Sequence, residues 1–306
     1  MKLPNTFRLS PEVARAREKN APIVALESTV ITHGLPRPQN LELARSLEDT
    51  VRAGGGVPAT IAVLGGQLCV GLEASELERL AADAGARKLS SRDLAAAVAQ
   101  AANGGTTVAA TLRIAAAAGI RVFATGGIGG VHRNAPWDVS ADLPELARQP
   151  VLLVCAGAKA ILDIPATLEQ LETLGVPVVG YGTDEFPAFY SVESGLRTSS
   201  RVEDAAGAAA LARAHWQLGG GGILLAAPPP AEAAVPRAET EGWIAQALAE
   251  AGEQGVHGQA VSPFLLARVA ELSRGRSLAA NLALLKNNAR IAAGIAKELS
   301  GGNFVL

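Results

Sequence analysis

The sequence predicts an α/β layered fold with a mixed, largely parallel sheet and a helical C-terminal section. Short β-branched runs alternate with longer helix-like stretches, glycine marks the joins, and after about residue 230 the strand-like runs stop. The expected strands are 23–29, 59–64, 106–112, 120–126, 151–157, 176–182 and 221–228. Several are apolar without alternation, as strands covered on both faces should be. Helices are expected over 40–53, 75–84, 92–102 and 204–218. Gly65 and Gly66 fit a hairpin turn, which adds some antiparallel pairing. Ser262-Pro263 reads as an N-cap followed by a first-turn proline, opening a helix that ends near Gly275. Ser277 reads as the cap of a long last helix. The stretch PPPAEAAVP (228–236) is a stiff connector, too short to divide the chain. Residues 1–306 therefore read as one α/β domain, with C-terminal helices over about 238–300 packed on it.

Composition removes several classes of function. With 49% hydrophobic residues over 306 positions the chain can bury a sizeable core. Its 27 basic and 29 acidic side chains leave a net charge of -2, without the basic excess that collects nucleic-acid phosphates. No stretch approaches the roughly 18 unbroken apolar residues of a membrane helix; the best, VLLVCAGAKAIL (151–162), carries a lysine. The amino-terminal basic residues are not followed by an apolar block, so no secretory signal is expected. Cys69 and Cys155 sit in apolar runs and read as core thiols in a reducing, cytoplasmic setting.

Ligands of open α/β sheets gather beyond the carboxyl ends of the strands, so polar residues at those ends are the candidates. Glu27 follows IVAL, with Ser28, Thr29, Thr32 and His33 close behind. It is either a solvated strand-end charge or, in a partly dry pocket, a carboxyl with a raised pKa able to act as a general acid. Lys159 is one of only six lysines and directly follows the buried run VLLVCAGA. An amine held near apolar surface and a helix start loses its proton more readily and can form a Schiff base. The alternative is a stem that crosses apolar surface and takes its head to water. TGGIGG (125–130) can aim successive N–H groups at a phosphate, with His132 and Arg133 next and Lys88 of KLSSRDL as a further cation. DVSAD (138–142) sets two carboxylates and a hydroxyl at every second position, which suits Mg²⁺ or Mn²⁺; equally, Ser140 or Asp142 caps the following helix. Asp184 and Glu185 beside Phe186, Phe189 and Tyr190 could line a pocket wall or simply flank the core. His215 reads as structural; Asn281, Asn287 and Asn288 ride the last helix, where their amides could reach a ligand and Asn287 and Asn288 could equally face solvent.

Taken together, the motifs resemble one family. VALESTVITHGLPRPQN, VPATIAVLGG, KLSSRDL, GGTTVAAT, RVFATGGIGGVHR, DVSADLPELA, VCAGAKAILD, VVGYGTDEFPAFYS, SPFLLARVAEL and SLAANLALLKNNA are similar to those of pseudouridine-5′-phosphate glycosidases, the indigoidine synthase A-like family, over roughly residues 10–297. The resemblance implies a three-layer α/β/α sandwich, a homotrimer, and a divalent metal, Mn²⁺. It implies reversible cleavage of pseudouridine 5′-phosphate to uracil and ribose 5-phosphate. By motif, Glu27 matches the proton donor, Lys159 the nucleophile and Asp138 the metal carboxylate. Lys88, Val108 and the segment Ser140, Ala141, Asp142 match substrate-binding positions, as do Thr125 and His132, expected near the phosphate, and Asn281. The sequence departs from the family in a short stretch RNAPW (133–137), where Trp137 replaces a smaller aromatic, and in the glycine of GYGTDEF.

A C–C glycosidic bond offers no basic leaving atom, so a pair of carboxylates alone does not suffice. Ring opening at C1′ by Lys159, with Glu27 protonating the ring oxygen, meets the difficulty. Two other readings share parts of this chemistry: a Schiff-base aldolase or lyase on another sugar phosphate, and a non-catalytic sugar-phosphate binder of the same fold.

Overall fold

The computed structural model describes residues 3–133, 135–256 and 261–301. In chain order the first half contains β1 (Phe7–Leu9), α1 (Pro11–Glu18), β2 (Ile23–Leu26), α2 (Gln39–Ala53), β3 (Val57–Leu64), β4 (Gln67–Val70), α3 (Ala74–Ala82), β5 (Arg87–Leu89), α4 (Leu94–Ala99), β6 (Gly104–Thr106), α5 (Val108–Ala117) and β7 (Val122–Ala124). There follow β8 (Val131–His132), β9 (Ala135–Val139), α6 (Asp142–Arg148), β10 (Leu152–Cys155), β11 (Leu162–Asp163), α7 (Ile164–Thr173), β12 (Val178–Tyr181), β13 (Ser200–Val202), α8 (Ala205–Gln217) and β14 (Ile223–Ala226). Three helices close the chain: α9 (Arg237–Glu253), α10 (Val261–Leu272) and α11 (Arg276–Ser300).

The main sheet runs β1-β4-β3-β2-β7-β10-β14-β12-β13, with β6 pairing β3 and β5 pairing β6. Pairings of β3 with β4 and β6 are antiparallel; the rest of this sheet is parallel. Helices cover both faces, giving the α/β/α layering. The central strands β10 and β14 are wholly buried and made of Leu, Ile, Val, Cys and Ala, which explains their unbroken apolar runs. The hairpin forms at Gly65 and Gly66, both at positive φ, which matches a tight turn to the strand twist. Side chains cap the helices as their residue types dictate: Ser10 accepts from Val13 N, Asp163 from Ala166 N and Asp204 from Gly207 N.

Three expectations change. The run 106–112 is a strand only up to Thr106; Thr107 caps α5, and the β-branched residues beyond it lie in a helix. That helix is buried on nearly every side, so its apolar pattern carries no helical period to read. Helix α10 begins at Val261, placing Ser262 inside it rather than at its cap. Likewise α11 starts from Gly275 (φ +81°), while buried Ser277 exchanges hydrogen bonds with Ser273 and staples the α10–α11 turn.

Helix α11 fixes one layer. It packs on β2, β7 and β10, and on α2 and α8 beside it. A Cβ at Gly54 would lie 2.6 Å from that of Ala293, so the end of α2 approaches α11 closely. Near its other end Asn281, Leu284 and Leu285 lie against Gly126, just beyond β7. The helix therefore brings its amino-terminal half over the carboxyl ends of the central strands.

Candidate active site

Strands β2, β7 and β10 are neighbours, and each ends in a residue singled out from sequence. β2 leads to Glu27, β7 to Thr125 and the glycine loop, and β10 through Gly157 to Lys159. From β2 the chain goes to β3 on one side, while β7 and β10 lie on the other. The site thus opens at a switch in strand order, where open α/β sheets leave a crevice.

Pairing continues beyond the strands and holds Lys159. Thr125 N donates to Val154 O (3.0 Å), Ala156 N to Gly126 O (2.9 Å), Ile128 N to Gly157 O (3.0 Å) and Lys159 N to Ile128 O (3.0 Å). Gly157 has φ +87°, and a Cβ there would lie 2.5 Å from Pro187 O, so only glycine fits the bend that presents the lysine. Past Lys159 the backbone is gripped by Arg133, which donates to Ala160 O (3.0 Å) and Leu162 O (3.1 Å). Arg133 is itself held by both carboxylate oxygens of Glu241 on α9, at 2.7 and 2.9 Å.

Glu27 is half-buried and accepts a hydrogen bond from the Thr125 hydroxyl. Burial raises its carboxyl above the ordinary value of 4.5. Lys159 and the Thr125 bond pull it back, Asp142 adds to the rise, and Lys88 opposes it. The Lys88 side chain, on β5, is lowered by burial and then by the like charge of Lys159, with Glu27 and Asp142 opposing. Glu27 and Lys88 thus each lie within electrostatic reach of Lys159, of Asp142 and of one another.

Asp142 is buried and both its oxygens are used by backbone. Oδ1 accepts from Ala109 N (2.9 Å) in the first turn of α5, and Oδ2 from Gly129 N (2.8 Å) in the glycine loop. The carboxylate ties a helix start to the loop, and it caps α5 rather than its own helix, whose N-cap is Ala141 without a side-chain bond. Ser140 Oγ accepts from Asp142 N (3.2 Å) and lies against Gly129, where a Cβ would meet it at 2.3 Å. Val108 is buried at the first position of α5, beside Ala109. Ala141 is exposed.

The remaining candidates spread outward. Asn281 Oδ1 lies near Gly126, 3.4 Å from where a Cβ would stand. His132, on β8, pairs its Nδ1 with Asp138 Oδ2 at 3.3 Å, and the Asp138 side chain is 53% exposed. Trp137 is almost fully exposed, and Asn134 of the same stretch lies outside the described residues. Phe186, Phe189 and Tyr190 are buried core, with Phe189 against Gly127 and Phe186 against Gly157, so they back the loop from behind. Asn288, whose place on the last helix suits either ligand or solvent, is fully buried and donates to Thr125 O (2.8 Å). Its place in NNA on an apolar face was the available signal. Cavities of about 480 and 460 Å³ open elsewhere, beside Arg8 and Glu76 and beside Arg45 and Arg52; none of the four charged groups lines them.

Among the described residues no three His, Cys, Asp or Glu side chains gather as a metal cage. Asp138 alone, open to solvent on one side, suits a cation that keeps most of its water, as Mg²⁺ and similar hard ions do.

The family model of indigoidine synthase A-like proteins matches residues 12–298. The chain belongs to this family. Curated relatives named pseudouridine-5′-phosphate glycosidase include one from Solibacter usitatus, 56% identical over 96% of this chain and 99% of its own. Another, from Herpetosiphon aurantiacus, is 58% identical over 95% and 97%. Among solved structures, the prealnumycin C-glycosynthase AlnA in complex with ribulose 5-phosphate superposes with TM-score 0.91 at 43% identity, covering 97% of this chain and 98% of its own. An indigoidine synthase A-like protein from Thermotoga maritima gives 0.89 at 36% identity, over 98% and 99%.

Proposed function

We propose that the chain cleaves the C–C glycosidic bond of pseudouridine 5′-phosphate, reversibly, to uracil and ribose 5-phosphate. The observation that carries this is the convergence, at the ends of β2 and β10 on either side of β7, of a carboxyl raised by burial and a lysine locked at both sides by backbone bonds. The names of the relatives supply the substrate, and the pentose phosphate in the C-glycosynthase neighbour fits the same chemistry.

In this reading the Lys159 amine bonds to C1′ as the C1′–O4′ bond breaks, and Glu27 gives its proton to the departing ring oxygen, which becomes the 4′-hydroxyl. The nitrogen lone pair then expels C5 of the uracil, which takes up a proton, leaving a C1′=N imine. Water hydrolyses the imine, returning the amine and releasing the aldehyde form of ribose 5-phosphate. The net reaction consumes one water. Lys88 and those N–H groups of the glycine loop that Asp142 and Gly157 leave open hold the phosphate, whose binding places C1′ against the amine. Asp138, with His132 beside it, would hold a hydrated Mn²⁺, which supplies polarisation of a substrate oxygen or water when bound. The same reading takes the protein as a cytoplasmic homotrimer; no described helix is long and apolar enough to cross a membrane.

The test is chromatographic release of uracil from pseudouridine 5′-phosphate, with and without Mn²⁺. Turnover that is lost in Glu27→Gln, with ligand still bound, supports the assignment. No uracil release by the wild type, with turnover of another sugar phosphate, would favour the aldolase reading.

A further inference from the structure

Helix α11 buries one amide whose partners are peculiar. Asn288 is fully buried, and its Nδ2 donates to Thr125 O at 2.8 Å and Gly126 O at 3.5 Å. Both neighbours are carbonyls, so the amide can face them only with its nitrogen. Its Oδ1 is buried and has no partner among the described residues. An amide left half-satisfied in a core is poor scaffolding, since a buried acceptor without a donor costs stability. What it does hold is the residue that touches Glu27. Thr125 is buried, its N–H is tied to Val154 O (3.0 Å), and its hydroxyl donates to Glu27 Oε1. A hydroxyl has one proton to give; spending it on Oε1 leaves Oε2 as the oxygen that carries the acidic proton.

We propose that Asn288 is a positioning residue for the reaction: by holding the Thr125 carbonyl it sets the Thr125 hydroxyl on Oε1 of Glu27 and so fixes which oxygen donates. The proposal rests on the reading of Glu27 as the acid. The helix layer behind the sheet thereby reaches the proton donor through one intermediate side chain. No part of Asn288 needs to touch substrate.

The test compares the pH dependence of kcat on pseudouridine 5′-phosphate for the wild type, Thr125→Val, Asn288→Leu and the double variant. The charged groups facing Glu27 are Lys159 beyond β10, Asp142 at the start of α6 and Lys88 on β5, and all are retained. The Thr125 hydrogen bond favours the ionised form of Glu27. Losing that bond moves the basic limb of the profile to higher pH. Asn288→Leu should move it the same way and lower kcat at neutral pH by on the order of tenfold, part of the roughly 10²–10⁴ a positioned acid contributes. KM should change less than about twofold, because no substrate contact is lost. The double variant should show no further shift beyond Thr125→Val. A limb that moves in Thr125→Val but not in Asn288→Leu overturns the proposal and leaves Glu27 as the acid. A limb unmoved in Thr125→Val overturns the assignment of Glu27, and the proposal with it. Asn288→Val, smaller and equally apolar, serves the same comparison if the leucine variant does not fold.

Discussion

Asp142 is the residue whose replacement separates architecture from chemistry most sharply. In Asp142→Asn the side chain keeps its shape and loses one acceptor. Because both carboxylate oxygens accept backbone N–H groups, from Ala109 at 2.9 Å and Gly129 at 2.8 Å, the new amide nitrogen must face a donor. One hydrogen bond to a charged group is lost, about 1.5–3 kcal/mol. Unfolding entropy of about 2.1 cal/mol/K per residue over 306 residues makes 1 kcal/mol worth roughly 1.6 °C of Tm, so the melt should fall by about 2–5 °C. The same change removes a negative charge that raises the Glu27 carboxyl, so the basic limb of kcat/KM should move to lower pH. Separating the α5 start from the glycine loop should also cost about 10- to 100-fold in kcat/KM, as small displacements of positioning groups do. Calorimetry and a pH series on one preparation read all three. An Asp142→Asn protein as stable as the wild type, with an unmoved limb, would refute the structural argument.

Lys88→Met should act in the opposite sense on Glu27: a cation that favours its ionised form disappears, so the basic limb should move up while KM for the phosphate ester rises. Gly157→Ala should destabilise the fold by about 1–3 kcal/mol, since alanine is forced to φ +87° with its Cβ on Pro187 O, and chemical denaturation measures this. Glu27→Gln should alter the pH dependence of stability. The folded carboxyl is raised above 4.5, so its contribution is fully present below that value and is lost as pH rises through the folded pKa. The glutamine variant, which has nothing to ionise, should therefore gain relative to the wild type between acid and mildly alkaline pH; a constant difference in urea midpoints would contradict this.

Much of this was legible from residues one at a time. IVAL before Glu27 and VLLVCAG before Lys159 announce buried strands with candidate residues at their ends, and the paired glycines at 65 and 66 announce the hairpin. What was not legible depends on packing between elements distant in sequence. The α5 helix hides in a run rich in alanine, threonine and valine because burial on most sides erases its period. Nothing local to DVSAD says that Asp142 serves the start of α5, 33 residues earlier. Asn288 lies 163 residues from Thr125, and only the path of α11 across the ends of β2, β7 and β10 brings them together.

In the proposed mechanism the Lys159 amine becomes covalently attached to C1′ of the sugar. Borohydride added during turnover of pseudouridine 5′-phosphate, followed by peptide mass analysis, tests it directly. A reduced pentose-phosphate adduct is expected on the peptide carrying Lys159, and none in Lys159→Ala. Uracil released at the wild-type rate with no adduct on Lys159, or an adduct on Lys88 instead, would contradict it.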